Sequence, residues 1–175
     1  MKKLLLYAPI AIFFLIVFFL LVFLLQNKDA NKPPSPFINK DLPNFNITSL
    51  FDSNEKISNN EIKDKQVLIN FFASWCLPCK AEHPFFDYLK KNNPDLIIIG
   101  INHKDKFEEA INFLEINGNP YNFVGEDKNG KVGLEFGVFG LPETFLTNSK
   151  GKIVYKITGP ITKKIIKDEI NLYLE

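Results

Sequence analysis

Residues 67–84 read Val-Leu-Ile-Asn-Phe-Phe-Ala-Ser-Trp-Cys-Leu-Pro-Cys-Lys-Ala-Glu-His-Pro, and two kinds of secondary structure meet inside them. Val67 to Phe72 is an apolar, β-branched and aromatic run broken only by Asn70, the pattern of a buried strand. From Cys76 to Asn93 the side chains of Phe85, Phe86 and Leu89 recur at helical spacing, which predicts a helix. Pro78 falls in its first turn, where the missing N–H has no helical partner to lose. Cys76 and Cys79 therefore stand at a strand-to-helix junction. A cysteine at a helix N-terminus has its thiolate stabilised by unpaired amides and by the helix dipole. A second cysteine one turn further in can attack a mixed disulfide formed by the first.

The chain has 2 cysteines in all, so no other intramolecular disulfide competes for this pair. A structural zinc site needs a second Cys or His pair, and the chain offers only His83 and His103. Haem attachment needs a histidine directly after the second cysteine, where Lys80 stands. No metal and no cofactor are expected, and both histidines read as surface side chains. The 21 basic residues, all lysine, balance 20 acidic ones. Neither a basic face nor an arginine fork is on offer for nucleic acid, so no nucleic-acid partner is expected.

Outward from the junction, Phe45–Thr48 and the turn Asp52-Ser53-Asn54 suggest an edge strand or hairpin. Leu96–Ile99, bounded by Pro94 and Gly100, reads as a second buried strand, and Tyr121–Val124 as a short one. Phe107–Ile116 reads as a helix whose inner face is Phe107, Ala110, Ile111 and Leu114. Lys131–Phe136 gives a turn or two of helix. Glu143–Thr147 and Ile153–Thr158 form a hairpin, and Thr162–Leu174 a closing helix. This order predicts a three-layer α/β domain with a mixed central sheet.

Leu4 to Leu25 is a run of 22 residues without a charge. As a helix it rises about 33 Å, enough for a hydrocarbon core of about 30 Å. The run is too long for a signal peptide, and no small-residue cleavage site follows it. Lys2 and Lys3 before it, against Lys28 and Lys32 with Asp29 after it, lean towards an N-terminus in the cytoplasm and an exported domain. The expected organisation is a cytoplasmic tip and transmembrane anchor at 1–26, a polar, proline-rich linker at 27–41, and a folded domain at 42–175.

The segment 73–84, ASWCLPCKAEHP, preceded by VLINFF, resembles the active-site segment of the thioredoxin superfamily. GVFGLPETFLT (137–147), TGPIT (158–162) and Gly100–Asp105 resemble the membrane-anchored DsbE (CcmG) family, thioredoxin-like thiol:disulfide interchange proteins of cytochrome c biogenesis. The resemblance runs from about Leu42 to Thr162. It implies a thioredoxin-like fold in which Pro142 is a cis-proline facing the disulfide and presents the Leu141 backbone to a bound peptide. It also implies a reductant in the periplasm, fed by a transmembrane thiol transporter, with apocytochrome c or a cytochrome c maturation protein as client. Asn70 lies where thioredoxins usually bury an aspartate. Glu82 and Glu143, which match acidic positions of the DsbE-like pattern, are then the candidates to assist Cys79. Pro84 is expected to kink the active-site helix. A general exported disulfide reductase and a non-catalytic peptide-binding protein remain the alternative readings.

Overall fold

The computed structural model describes residues 2–25 and 36–174. They divide into two units, Met1–Pro33 and Pro34–Glu175. The first contains helix α1 (Lys2–Leu25), with Pro9 inside it. Among the described residues no helix is long and apolar enough to cross a membrane. Residues 26–35, most of the expected linker, and with them Lys28 and Lys32, lie outside the described residues.

In the second unit a hairpin, β1 (Asn46–Thr48) and β2 (Lys56–Ser58), precedes a five-stranded sheet. The sheet is built from β3 (Val67–Phe72), β4 (Ile97–His103), β5 (Phe123–Asp127), β6 (Glu143–Thr147) and β7 (Ile153–Thr158), ordered β5-β4-β3-β6-β7. Strands β3, β4 and β5 are parallel, whereas β6 runs antiparallel to both β3 and β7, so the sheet is mixed as expected. Every residue of the central β3 is buried. Covered on both faces, it has no polar alternation to show.

One face of the sheet, carrying Leu68, Phe72, Ile98 and Leu146, is covered by α2 (Leu77–Asn92), α3 (Phe107–Asn117) and α5 (Lys163–Asp168). The opposite face, carrying Ile69, Phe71, Ile101 and Phe145, is covered by α4 (Lys131–Glu135), the β1–β2 hairpin and Phe45. There Phe71, Phe136 and Phe145 meet pairwise, with centroids 5.3, 5.4 and 5.8 Å apart. Burying each such ring contributes about 1.5–3 kcal/mol. Before the hairpin, Asn39 N–H donates to Ile153 O and Leu42 N–H to Gly151 O, tying the incoming chain to the start of β7.

Three expectations need correction. Gly100 does not end β4 but lies inside it, paired with Asn70 and Val124. A Cβ there would stand 2.8 Å from the Tyr121 ring, so the glycine makes room for that ring. The inner face of α3 is Ala110, Phe113 and Leu114, with Ile111 packed against the core at its edge as expected and Phe107 half-exposed at the first turn. The closing helix stops at Asp168 and continues as a 3₁₀ turn (Ile170–Leu172), through which Ile166 and Ile170 reach one core. Helix α2 continues through Pro84, which gives the Lys80 carbonyl no N–H to accept.

Candidate active site

Cys76 and Cys79 form a disulfide, with Cα atoms 5.3 Å apart. Cys76 has extended backbone and caps α2, its Sγ accepting the Cys79 N–H at 3.1 Å. The same geometry favours a thiolate at Cys76 after reduction, because an unpaired helix N–H already points at the sulfur. Cys76 is the more exposed of the two, although both are buried here, at 4% and 1%. On either side of Cys76, Trp75 and Leu77 are exposed.

The turn before Cys76 is fastened from the side by Asp105, which follows β4. Its carboxylate accepts Ser74 N–H at 2.6 Å, Ser74 Oγ–H at 2.8 Å, Asn102 Nδ2 at 2.9 Å and Lys106 N–H at 2.9 Å. Trp75 Nε1 donates to Lys104 O at 3.2 Å, closing the same junction. Nothing in the sequence reading singled out Asp105, since an aspartate between two lysines looks like an ordinary loop residue.

Beneath the disulfide lies a fully buried polar chain. Glu82, one helical turn after Cys79 and on the same face of α2, is completely buried. Its Oε1 accepts Asn70 Nδ2 at 2.8 Å and its Oε2 accepts Ile161 N–H at 2.7 Å. Burial pushes the carboxyl up to about 8, with the bonds from Ile161 and Asn70 acting against the rise. Asn70 also donates to Thr144 Oγ1 at 3.0 Å and accepts Tyr121 O–H at 2.9 Å. Tyr121 is pushed well up by burial and by the nearby Glu82 charge. Tyr121 joins this site only because the Gly100 gap admits its ring, and spacing in the sequence carries no sign of it.

Glu143 is also buried but sits on the other face of the sheet. Its partner across the ladder is Phe71, whereas Asn70 pairs with Thr144. Because strand side chains alternate, Glu82 and Glu143 stand on opposite sides of β3 and β6. Glu143 Oε2 lies 2.7 Å from Lys156 Nζ, a charge contact whose angle departs from a directed hydrogen bond. Glu143 Oε1 accepts Phe139 N–H at 3.3 Å, and Lys156 Nζ donates to Gly137 O at 3.3 Å. Lys156 also lies 4.9 Å from the Phe145 centroid and 5.3 Å from that of Phe139. This buried pair therefore holds both ends of the loop that leads to Leu141–Pro142, a cis peptide bond.

The histidines are not surface side chains. His83 is buried against Phe86, Phe113 and Tyr121, with Nε2 2.7 Å from Gly118 O. Its apolar surroundings hold its pKa down. His103 is largely buried, with Nδ1 2.8 Å from Asp127 Oδ2. Asp127 in turn accepts Val132 and Gly133 N–H at the start of α4. Burial alone would raise its carboxyl, but the His103, Gly133 and Val132 bonds together hold it below the usual range. Helical and loop context alone gave no sign that these two imidazoles point inward.

Comparison with known proteins agrees with this geometry. The Redoxin family model matches residues 38–172. A thiol:disulfide interchange protein DsbE from Tatumella citrea is 36% identical over 97% of this chain and 93% of its own length. The thiol:disulfide interchange protein HelX from Rhodobacter capsulatus is 34% identical over 98% and 96%. Among solved structures, a thioredoxin-family thiol:disulfide interchange protein from Chlorobium tepidum superposes with TM-score 0.66 at 21% identity, covering 82% of this chain and 100% of its own. A secreted Mycobacterium tuberculosis disulfide oxidoreductase homologous to DsbE gives 0.65 at 17%, covering 73% and 95%. These two establish the likeness of fold.

Proposed function

This chain belongs to the Redoxin family and to its DsbE-type thiol:disulfide interchange proteins, with a thioredoxin-like α/β fold and a dithiol/disulfide exchange activity, and on that premise we propose that it is a membrane-anchored periplasmic reductant serving cytochrome c biogenesis. Residues 1–26 would anchor it in the inner membrane as a single span, 27–41 would be a linker, and 42–175 the working domain. The uncharged run from Leu4 to Leu25 supports the anchor. The client reading is supported by the resemblance of residues 137–147 to the DsbE pattern. Apocytochrome c or a maturation protein holding it is the client, and a transmembrane thiol transporter is the electron donor.

The observation that carries the chemistry is the capping of α2 by Cys76, whose sulfur already accepts an N–H. In the reduced protein the Cys76 thiolate attacks one sulfur of a client disulfide. A bond forms between Cys76 and the client, and the first client thiolate leaves to take up a proton. In its ionised form, which becomes available as the pH approaches 8, Glu82 accepts the Cys79 proton, and the Cys79 thiolate attacks Cys76 Sγ. The second client thiolate leaves and the Cys76–Cys79 disulfide remains. Two electrons have passed to the client, and the donor must return them, because an exported dithiol is otherwise oxidised. Pro142 shapes the peptide-facing edge, and Glu143 positions the loop before it through Phe139 and Lys156.

The test is a Cys79→Ser variant, which should hold clients on Cys76 as mixed disulfides that reductant releases. Deletion of the gene should remove covalently bound haem from c-type cytochromes, restored by the wild-type chain and not by Cys76→Ser. Retained covalent haem, with trapped clients of other kinds, would instead identify a general exported reductase.

A further inference from the structure

Beside the disulfide, on the Trp75 side, lies a cleft of about 590 Å³ between the active-site turn and α3. Two of its lining side chains are apolar and exposed, Trp75 at 62% and Ile116 at 69%. Lys80, Lys104, Lys106 and Lys128 line it, all exposed, and none of the four is in an ion pair among the described residues. Two carboxylates reach the same cleft. Asp105 keeps its charge while its four hydrogen bonds from Ser74, Asn102 and Lys106 hold it in the wall, so the lining sets four lysines against two acids, Asp105 and Glu109. The concentration is local: residues 26–175 carry 19 Lys and 20 acidic residues, a net charge of −1. The cleft borders the active-site turn, because Ser74, Trp75 and Lys80, which flank Cys76 and Cys79 in sequence, line it.

We propose that this cleft is a client subsite that takes a polypeptide segment carrying acidic side chains and an apolar one next to the target cysteine. The proposal rests on the reductant reading above and adds the class of client sequence to it. Apolar contact with Trp75 and Ile116 gives the segment a seat. The lysines select its charge and speed encounter, as a cluster of one sign does for an oppositely charged partner. Asp105 fixes the wall of the cleft relative to Cys76, so a segment seated there approaches the sulfur in a set orientation.

The experiment uses the full-length reduced chain in an uncharged detergent. Its substrates are short peptides closed by an internal Cys-Ala-Ala-Cys disulfide and flanked by Asp/Glu, by Gln or by Lys, together with the neutral small disulfide of mercaptoethanol. At low ionic strength the acidic peptide should react about fivefold or more faster than the lysine peptide, and the gap should narrow with added salt. Lys104→Gln/Lys106→Gln/Lys128→Gln should bring the peptides within about twofold of one another and leave the small disulfide unchanged. Lys163→Gln/Lys164→Gln/Lys167→Gln, with the same change in net charge on α5, should keep the preference.

Equal rates for all peptides in the parent protein, or a preference that survives the cleft substitutions or is lost equally in the α5 control, would overturn the subsite. A cleft variant slowed on the small disulfide as well would also overturn it, since the lysines would then act on the cysteine itself. Failure of the parent protein to reduce even the small disulfide would overturn the reductant reading together with the subsite.

Discussion

Asn70 Nδ2 and Glu82 Oε1 are held 2.8 Å apart beneath the disulfide, on residues separated by 12 positions of sequence. The amide is the device that lets a carboxyl be buried there. It donates to the acid on one side while its own oxygen is occupied by Tyr121. Glu82 is thereby kept dry, bonded and protonated at neutral pH, yet within range of ionising as the pH approaches 8.

Asn70→Asp should disturb this arrangement rather than restore a thioredoxin-like base. A second carboxyl would stand beside the first, and two such groups share one proton. The pH at which resolution accelerates should move upward, and stability above pH 8 should fall by about 1–3 kcal/mol. Alkylation rates of Cys79 between pH 6 and 10, with denaturant unfolding at pH 9, provide the check. A downward shift of the profile would count against the shared-proton account.

Glu82→Gln should slow the Cys79 attack, read as decay of a pre-formed mixed disulfide at Cys76, by about tenfold to a hundredfold. The loss should be largest above pH 8, where the wild-type carboxylate is available. Gln can accept from only one of Asn70 and Ile161 and turns a donor towards the other, so some stability is lost too. The pH profile separates the two effects, because a purely structural loss would lower the rate at every pH alike.

The Glu143–Lys156 pair makes a prediction in stability. Lys156→Met removes the cation and leaves a buried carboxylate beside Phe139 and Phe145, which should lower stability at pH 8 by about 3–5 kcal/mol. Adding Glu143→Gln should return most of it, because the charge that was left alone is gone. Guanidinium unfolding of the oxidised single and double variants checks this. An additive double variant would mean that the two side chains do not act as a pair.

How far the sequence could be read depended on which forces were local. β3 announced itself through composition, and the position of α2 through Cys76, Pro78 and the Phe85–Leu89 stripe, since strand propensity and capping act within a few residues. The pairings across the sheet did not announce themselves. Gly100 looked like a strand end because a glycine usually weakens a strand, and only the Tyr121 ring explains its place inside one. Glu82 and Glu143 are both buried acids, but their placement on opposite faces follows from the β3–β6 register, which no local signal sets. Lys156 is a readable clue to the Glu143 pair, a lone lysine inside the apolar strand Ile153–Thr158. His83 and His103 were misplaced for the complementary reason: their partners, Gly118 and Asp127, lie 35 and 24 residues away.

Gly100→Ala tests the gap that admits Tyr121. The new methyl would stand 2.8–2.9 Å from three ring atoms, so the ring must move and its O–H must leave Asn70. The expected cost is about 1–3 kcal/mol. Tyr121→Phe alone should cost about 0.5–1.5 kcal/mol through the lost hydrogen bond. Combined with Gly100→Ala, the Phe substitution should add little, because the bond is already broken. Full additivity in thermal or denaturant unfolding would show that the ring tolerates the methyl without moving.

The pH dependence of folding gives the last test, and its sign is fixed by the direction of the Glu82 shift. Glu82 holds its proton more tightly in the folded protein, about 8 against an ordinary 4.5, so the fold favours the neutral acid. That contribution is fully present below pH 4.5 and is lost as pH rises through about 8. At 1.36 kcal/mol per unit it amounts to at most about 4–5 kcal/mol. His83 works in the opposite direction over part of this range. Its pKa is lowered in the folded state by burial, so neutralising it as pH rises towards 6.5 and beyond favours folding. A single wild-type curve would therefore blend the two. The comparison that isolates Glu82 is the oxidised wild type against oxidised Glu82→Gln, unfolded by denaturant at intervals from pH 5 to 9. Oxidation removes the cysteines from the titration, and the His83 contribution cancels in the difference. Wild-type stability should decline relative to the variant across the interval, with most of the decline complete by about pH 8. Parallel curves would mean that Glu82 is already ionised in the folded protein at pH 5, and the buried neutral acid would have to be abandoned.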